Sequence, residues 1–184
     1  MRYYVPIIVT PILILIIGMK FTMFLPKYIF KNLTDISPDF LRDRGIEVLL
    51  LDFDNTMLPY TRNEPTAELL AWIQGMKAAD IGLCIVSNSK KERVPLFCRH
   101  YGLSYVTHAN KPGTRGIRQA VEKMGGKPSA LVGDQIYTDV LGANRAGLVS
   151  ILVNAIDNHN IWLKLRHVLE LPFISISAKR RITS

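Results

Sequence analysis

Cysteine is scarce in this chain. Among its 184 residues only Cys84 and Cys98 are cysteines, and they do not stand at metal-ligand spacing, which excludes a disulfide framework and an ordinary structural zinc site. Cys84 lies in an apolar run and reads as a small packing residue. Alanine is missing before Ala67, so the apolar start lacks the small-residue cleavage site of a secretory leader. Charge is missing from Tyr3 to Met19, the composition of a membrane-seeking segment. Internal repeats and low-complexity tracts are also missing, which excludes solenoids and repeat arrays. The basic residues are dispersed, with no aromatic-basic stacking pattern, so nucleic acid is not an expected partner.

What is present is a chain that is 48% hydrophobic, with a net charge of +8 and a pI near 9.6. That is enough apolar material for one domain and its core. The positive balance favours anionic partners such as phosphate esters or anionic lipid. Residues 1–26 form a distinct apolar segment. As a helix, the uncharged stretch Tyr3–Met19 would span roughly 25 Å, a little under the ~30 Å hydrocarbon core. Crossing the bilayer and lying in its interface both stay open. Arg2 precedes the segment, while Lys20, Lys27, Lys31, Arg42 and Arg44 follow it. This bias places the following domain on the cytoplasmic side, or on the mitochondrial or plastid matrix side in a eukaryotic cell. Residues 27–46 read as a linker containing a short helix, which Ser37 caps, Pro38 opens and Gly45 stops.

From residue 47 to 170 the pattern alternates strand and helix. Apolar runs predict strands over 48–51, 81–86, 104–107, 130–132 and 149–153. Between them, helices are expected over 64–79, 90–101, 114–124 and 138–146, with a final helix over 158–169. Leu69, Leu70, Ile73 and Met76 make the buried stripe of the first of these helices. The fold class expected is α/β, a doubly wound parallel sheet with right-handed crossovers. Residues 171–184 form a basic tail carrying Lys179, Arg180 and Arg181, suited to a lipid contact.

Chemistry gathers at the strand ends, where open α/β sheets bind ligands. The run Val48-Leu49-Leu50-Leu51 ends in Asp52-Phe53-Asp54-Asn55-Thr56. If the chain stays extended, Asp52 and Asp54 share a direction. Carboxylates so crowded call for a metal, a shared proton, or both. The other strand ends carry Ser87-Asn88, Lys111, and Asp134 with Asp139. Taken singly, Ser87-Asn88 would serve as a helix cap, Lys111 as a loop charge and Asp139 as a first-turn charge on a helix. His100, His108, His159 and His167 are scattered and carry no expected role. Trp72 and Trp162 read as packing residues.

In order and neighbours, Asp-Phe-Asp-Asn-Thr, Val-Ser-Asn, Asn-Lys-Pro and Gly-Asp-Gln-Ile-Tyr-Thr-Asp resemble the four motifs of the haloacid dehalogenase (HAD) superfamily. The resemblance implies a Rossmann-like core and Mg²⁺-dependent phosphomonoester hydrolysis through an aspartyl-phosphate. It implies Asp52 as nucleophile and Asp54 as general acid and then base. Ser87, Asn88, Thr56 and Lys111 would hold the phosphate. Mg²⁺ would be held by Asp52, the backbone carbonyl of Asp54 and Asp134, with Asp139 behind them or acting through water. These residue types suit that chemistry, which depends on charge neutralisation and positioning. The intervals 57–86 and 88–110 are each filled by one helix, one strand and loops, leaving no room for the cap domain that many relatives insert. Capless members act on large substrates or borrow a lid from a partner subunit, so a homo-oligomer stays open.

A closer resemblance, carried by Phe24-Leu25-Pro26, Asp35-Ile36-Ser37, Asp52–Met57, Val86–Ser89, Lys111-Pro112 and Gly133–Arg145, is to the YqeG-like subclass IIIA branch, which is similar to the phosphatidylglycerophosphate phosphatases. It implies an anionic phospholipid substrate presented at a membrane surface, within phospholipid and cardiolipin synthesis. Two alternatives remain: a tethered phosphatase for soluble sugar or nucleotide phosphates, and a non-catalytic membrane-tethered binding module.

Overall fold

The computed structural model describes residues 22–157. Among these residues no helix is long and apolar enough to cross a membrane. The apolar segment expected over 1–26 falls mostly outside them, as do the helix expected over 158–169, the tail over 171–184, and with these His159, His167 and Trp162.

Strand β2 (Val48–Leu51) is buried at every position, as an uninterrupted aliphatic run requires of a strand covered on both faces. It pairs in parallel with β3 (Gly82–Val86) on one side and with β5 (Ser129–Gly133) on the other. β4 (Ser104–Val106) extends the β3 side, and β6 (Val149–Leu152) extends the β5 side. An outermost strand, β1 (Tyr28–Ile29), pairs in parallel with β6. The order is therefore β1-β6-β5-β2-β3-β4. The chain builds outward from β2 through β3 and β4, then crosses back to β5. The topological switch point lies between β2 and β5, the place where such sheets open a crevice for ligands.

Helices cover the sheet on both faces. They are α1 (Pro38–Arg42), α2 (Ala67–Ala78), α3 (Arg93–Tyr101), α4 (Arg115–Lys123) and α5 (Leu141–Ala146). α2 starts later than its pattern suggests, because Thr66 accepts a hydrogen bond from Leu69 N and caps it. Its buried stripe is Leu69, Ile73 and Met76, with Leu70 only half-buried. One core layer runs through Leu49, Leu51, Phe53, Ile73, Phe97 and Val132, and a second, on the opposite face, through Leu50, Cys84, Ile117 and Leu131. Cys84 and Cys98 are both buried and free. Burial pushes their thiols up to about 11 and about 12, which suits packing rather than reactivity.

Residues 27–46, expected as a linker with a short helix, pack on the domain. They supply strand β1, and Phe30, Leu33, Ile36, Phe40 and Leu41 join the main core layer. Ser37 does cap α1, accepting from Phe40 N. Trp72 closes this corner by donating to Ile36 O at 2.8 Å. The 138–146 helix is also modified. A π-helical turn over Ile136–Val140 comes first, and α5 continues from it.

Candidate active site

β2, β3, β4 and β5 end along one edge, and the residues after them bring Asp52, Ser87, Lys111, Asp134 and Asp139 together there. All five are buried. Lys111 is the junction. Its Nζ donates to Asp52 Oδ1 at 2.6 Å and to Asp139 Oδ1 at 2.7 Å. Carboxylate oxygens of Asp52, Asp134 and Asp139 lie within 4.8 Å of one another. Thr56 Oγ1 lies 3.1 Å from Asp134 Oδ1 and 3.3 Å from Asp52 Oδ2, tying the β2 and β5 loops together.

Three carboxylates with one ammonium cannot be balanced internally. Burial pushes the Asp52 carboxyl up to about 6. The Lys111 ammonium pulls against that shift, while the charges of Asp139 and Asp54 add to it. Burial alone would lower Lys111, but Asp139 and Asp52 outweigh it and hold the ammonium above the ordinary lysine range. A buried cluster of hard oxygen donors carrying surplus negative charge fits a small divalent cation. Asp52, Asp134 and Asp139 are the side chains that could hold it.

Asp139 is therefore more central than its expected supporting role. Its Oδ2 accepts from Gln135 N at 3.1 Å, which locks the turn that carries it. Gly133 makes room for this arrangement. A Cβ there would stand 2.3 Å from Asp139 Cγ, so only glycine lets this carboxylate fold back against the end of β5.

Asp54 departs from the extended-chain expectation. The chain turns at this point, with a bridge between Asp54 and Leu58 and a hydrogen bond from Asn55 N to Leu58 O at 2.7 Å. Asn55 occupies the left-handed region at φ 70°, which asparagine tolerates. Its side chain holds Asp157 through both N and O. The Asp54 side chain thus leaves the carboxylate cluster and pairs with Arg93 at 2.9 Å. The part expected for it in cation binding concerned its backbone carbonyl, which this pairing leaves untouched.

Ser87 Oγ accepts from Ser89 N at 3.0 Å, which leaves the hydroxyl proton to be donated outward. Asn88, expected on the phosphate, is occupied with the backbone. Its amide donates to Lys111 O at 2.9 Å and accepts from Lys111 N at 2.7 Å. It fixes the loop that presents Lys111. A half-open cleft of about 670 Å³ adjoins the site and is lined by Thr56, Met57, Thr61, Arg62, Asn154 and Asp157 among others. It meets the carboxylate cluster through Thr56.

Arg93 was not foreseen. It stands in a charged stretch, Lys90-Lys91-Glu92-Arg93, that reads as the solvated start of a helix, and no spacing rule shows that its side chain turns back to the β2 loop. His100 packs edge-on against Tyr101, with ring centroids 4.6 Å apart.

The HAD-hydrolase-like family model matches residues 108–156. A Bacillus subtilis (strain 168) protein named "Probable phosphatase YqeG" is 38% identical over 132 residues, covering 71% of this chain and 77% of that protein. Among solved structures, the cobalt-bound deoxy-D-mannose-octulosonate 8-phosphate phosphatase of Haemophilus influenzae aligns with a TM-score of 0.48 at 13% identity. The alignment covers 74% of this chain and 91% of that one.

Proposed function

The chain belongs to the YqeG-like family of HAD superfamily phosphatases, and on that footing we propose that it dephosphorylates phosphatidylglycerophosphate to phosphatidylglycerol with Mg²⁺ as cofactor. The observation that carries the chemistry is Lys111 bridging Asp52 and Asp139 beside Asp134, at the carboxyl ends of the central strands. A dianionic ester needs its charge met before a carboxylate can approach it. Mg²⁺ held by Asp52, Asp134 and Asp139 would supply neutralisation and orientation.

The chain's own residues divide the remaining work. Asp52 attacks phosphorus, and the bond to the ester oxygen breaks as an aspartyl-phosphate forms. Asp54 protonates the departing oxygen, then takes a proton from the water that attacks phosphorus and releases Asp52. Lys111 and the Ser87 hydroxyl donate to the non-bridging oxygens. Thr56 and Asn88 hold the loops that carry these groups. The lipid substrate is supported by the basic balance and by the apolar start of the chain. The same features support a membrane-associated protein whose catalytic domain faces the cytoplasm.

Phosphate release in mixed micelles with Mg²⁺ tests this reading, comparing phosphatidylglycerophosphate with soluble sugar and nucleotide phosphates and using Asp52→Asn as the blank. Preference for the lipid is the expected result, with a loss on the order of 10⁴-fold or more in Asp52→Asn. Better turnover of soluble esters would replace the lipid reading with a tethered small-molecule phosphatase. Cation binding without release from any ester would mark a binding module.

A further inference from the structure

The Arg93 guanidinium carries four Nη hydrogens and one on Nε. All four Nη hydrogens are matched by acceptors. Nη1 donates to Asp54 Oδ1 at 2.9 Å and to Tyr60 O at 3.4 Å, and Nη2 donates to Pro59 O at 3.0 Å and to Arg62 O. The cation also lies over the Phe53 ring, 5.0 Å from its centroid. Phe53 in turn packs edge-on against Phe97 of α3. One side chain from the first turn of α3 thus fixes the carboxylate of Asp54 and three carbonyls, of Pro59, Tyr60 and Arg62, in the loop after β2.

We propose that Arg93 is the positioning residue for proton transfer, holding Asp54 where it can reach the leaving oxygen and locking the 59–62 loop around it. This rests on Asp54 acting as the general acid and base of the phosphatase reading. Three bonds to backbone carbonyls hold the planar fork in place, so the Nη1 donor that meets Asp54 Oδ1 has one fixed position. A lysine ammonium has three donors and no fixed plane, so it can keep the charge but not the constraint. Asp52 needs no such aid, because Lys111 and burial already fix it. The two aspartates of one motif are therefore held by separate cations, one from the loop after β4 and one from the start of α3.

The test compares esters that differ in their need for an acid. An alkyl phosphate leaves as an alkoxide and needs Asp54's proton, whereas p-nitrophenyl phosphate releases a stable phenolate that does not. Full-length wild type, Arg93→Lys and Arg93→Ala would be assayed on both esters with Mg²⁺, with circular dichroism and thermal melting on each. For Arg93→Ala we expect the single-turnover rate of aspartyl-phosphate formation, the step before Asp54 acts as base, to fall about a hundredfold on the alkyl ester and by less than about threefold on p-nitrophenyl phosphate. Arg93→Lys should fall between, and added methylguanidinium should restore part of the Arg93→Ala loss on the alkyl ester. Equal losses on both esters in the folded variants, or no loss on either, would overturn the proposal while leaving the phosphatase reading intact. Wild-type protein inactive on both esters, with phosphatidylglycerophosphate in mixed micelles as the alkyl ester, would instead remove the phosphatase reading, and this proposal with it. Should Arg93→Ala melt below the assay temperature, the ester ratio of Arg93→Lys decides in the same way.

Discussion

Two carboxylate–cation pairs flank Phe53, and they are built differently. The inner pair, Asp52 with Lys111, has side chains 9% and 1% exposed, at a separation of 2.6 Å. The outer pair, Asp54 with Arg93, has side chains 18% and 13% exposed, at 2.9 Å. The inner cation is shared with a second buried carboxylate, Asp139, so its loss strands charge in a dry place. The outer cation is shared with neutral carbonyls, so its loss frees a loop but strands little charge. The inner pair thus sets up a fixed electrostatic field, and the outer pair sets the place of a group that must gain and lose a proton at the mouth of the site.

Removing the inner cation should have the largest effect. Lys111→Met leaves Asp52 and Asp139 buried and unpaired, and a loss of about 3–5 kcal/mol in urea unfolding is expected. Adding Asp139→Asn should return part of it, whereas a fully additive double variant would mean that the two pairs are independent. Gly133→Ala sharpens the comparison without touching a charge. Its methyl group displaces Asp139, and about 1–3 kcal/mol of stability should be lost together with cation affinity. Arg93 and its ester ratio should be unaffected.

The smallest effect concerns pH. Burial raises Asp52 from an ordinary value of 3.8 to about 6. Without a cation, the folded chain holds a proton there that the unfolded chain does not. That contribution to stability is therefore whole below about pH 4 and is lost as pH rises through about 6. A cation must displace the same proton, so Mg²⁺ affinity measured by calorimetry should fall about tenfold from pH 7 to pH 5. Asp52→Asn should flatten that slope. An unchanged slope in this variant would assign the proton to another group.

The parts of the molecule that sequence shows are those whose physics is local. Val48–Leu51 is buried on both faces and so carries no polar residue, which made β2 and its neighbours readable. Asp52 and Asp134 follow such runs directly, Lys111 stands in the short loop after β4, and the edge of the sheet gathers them. β1 was not readable, because two residues between Pro26 and Phe30 give no periodicity and their pairing with β6 is a distant contact. The direction of the Asp54 side chain depended on a turn at Asn55 that the alternation of an extended strand could not anticipate. Asp139 and Asn88 took their tasks from hydrogen bonds across loops, to Lys111 Nζ and to the Lys111 backbone. Arg93 was hidden for the same reason, since its partners come from a loop some 30 residues earlier in the chain.

The switch point between β2 and β5 also fixes an order in time. As the chain is made, β3 and β4 can join β2 early, bringing Ser87 and Lys111 beside Asp52. The other flank of β2 stays bare until Ser129–Gly133 has emerged and crossed the sheet. Closing so long a loop costs more entropy and takes longer than pairing neighbours. Asp134 and Asp139 therefore arrive last, and the acidic cluster is complete only once the sheet is. A cation that needs all three carboxylates has no partner in a half-built chain, and its binding free energy is added to the finished fold alone.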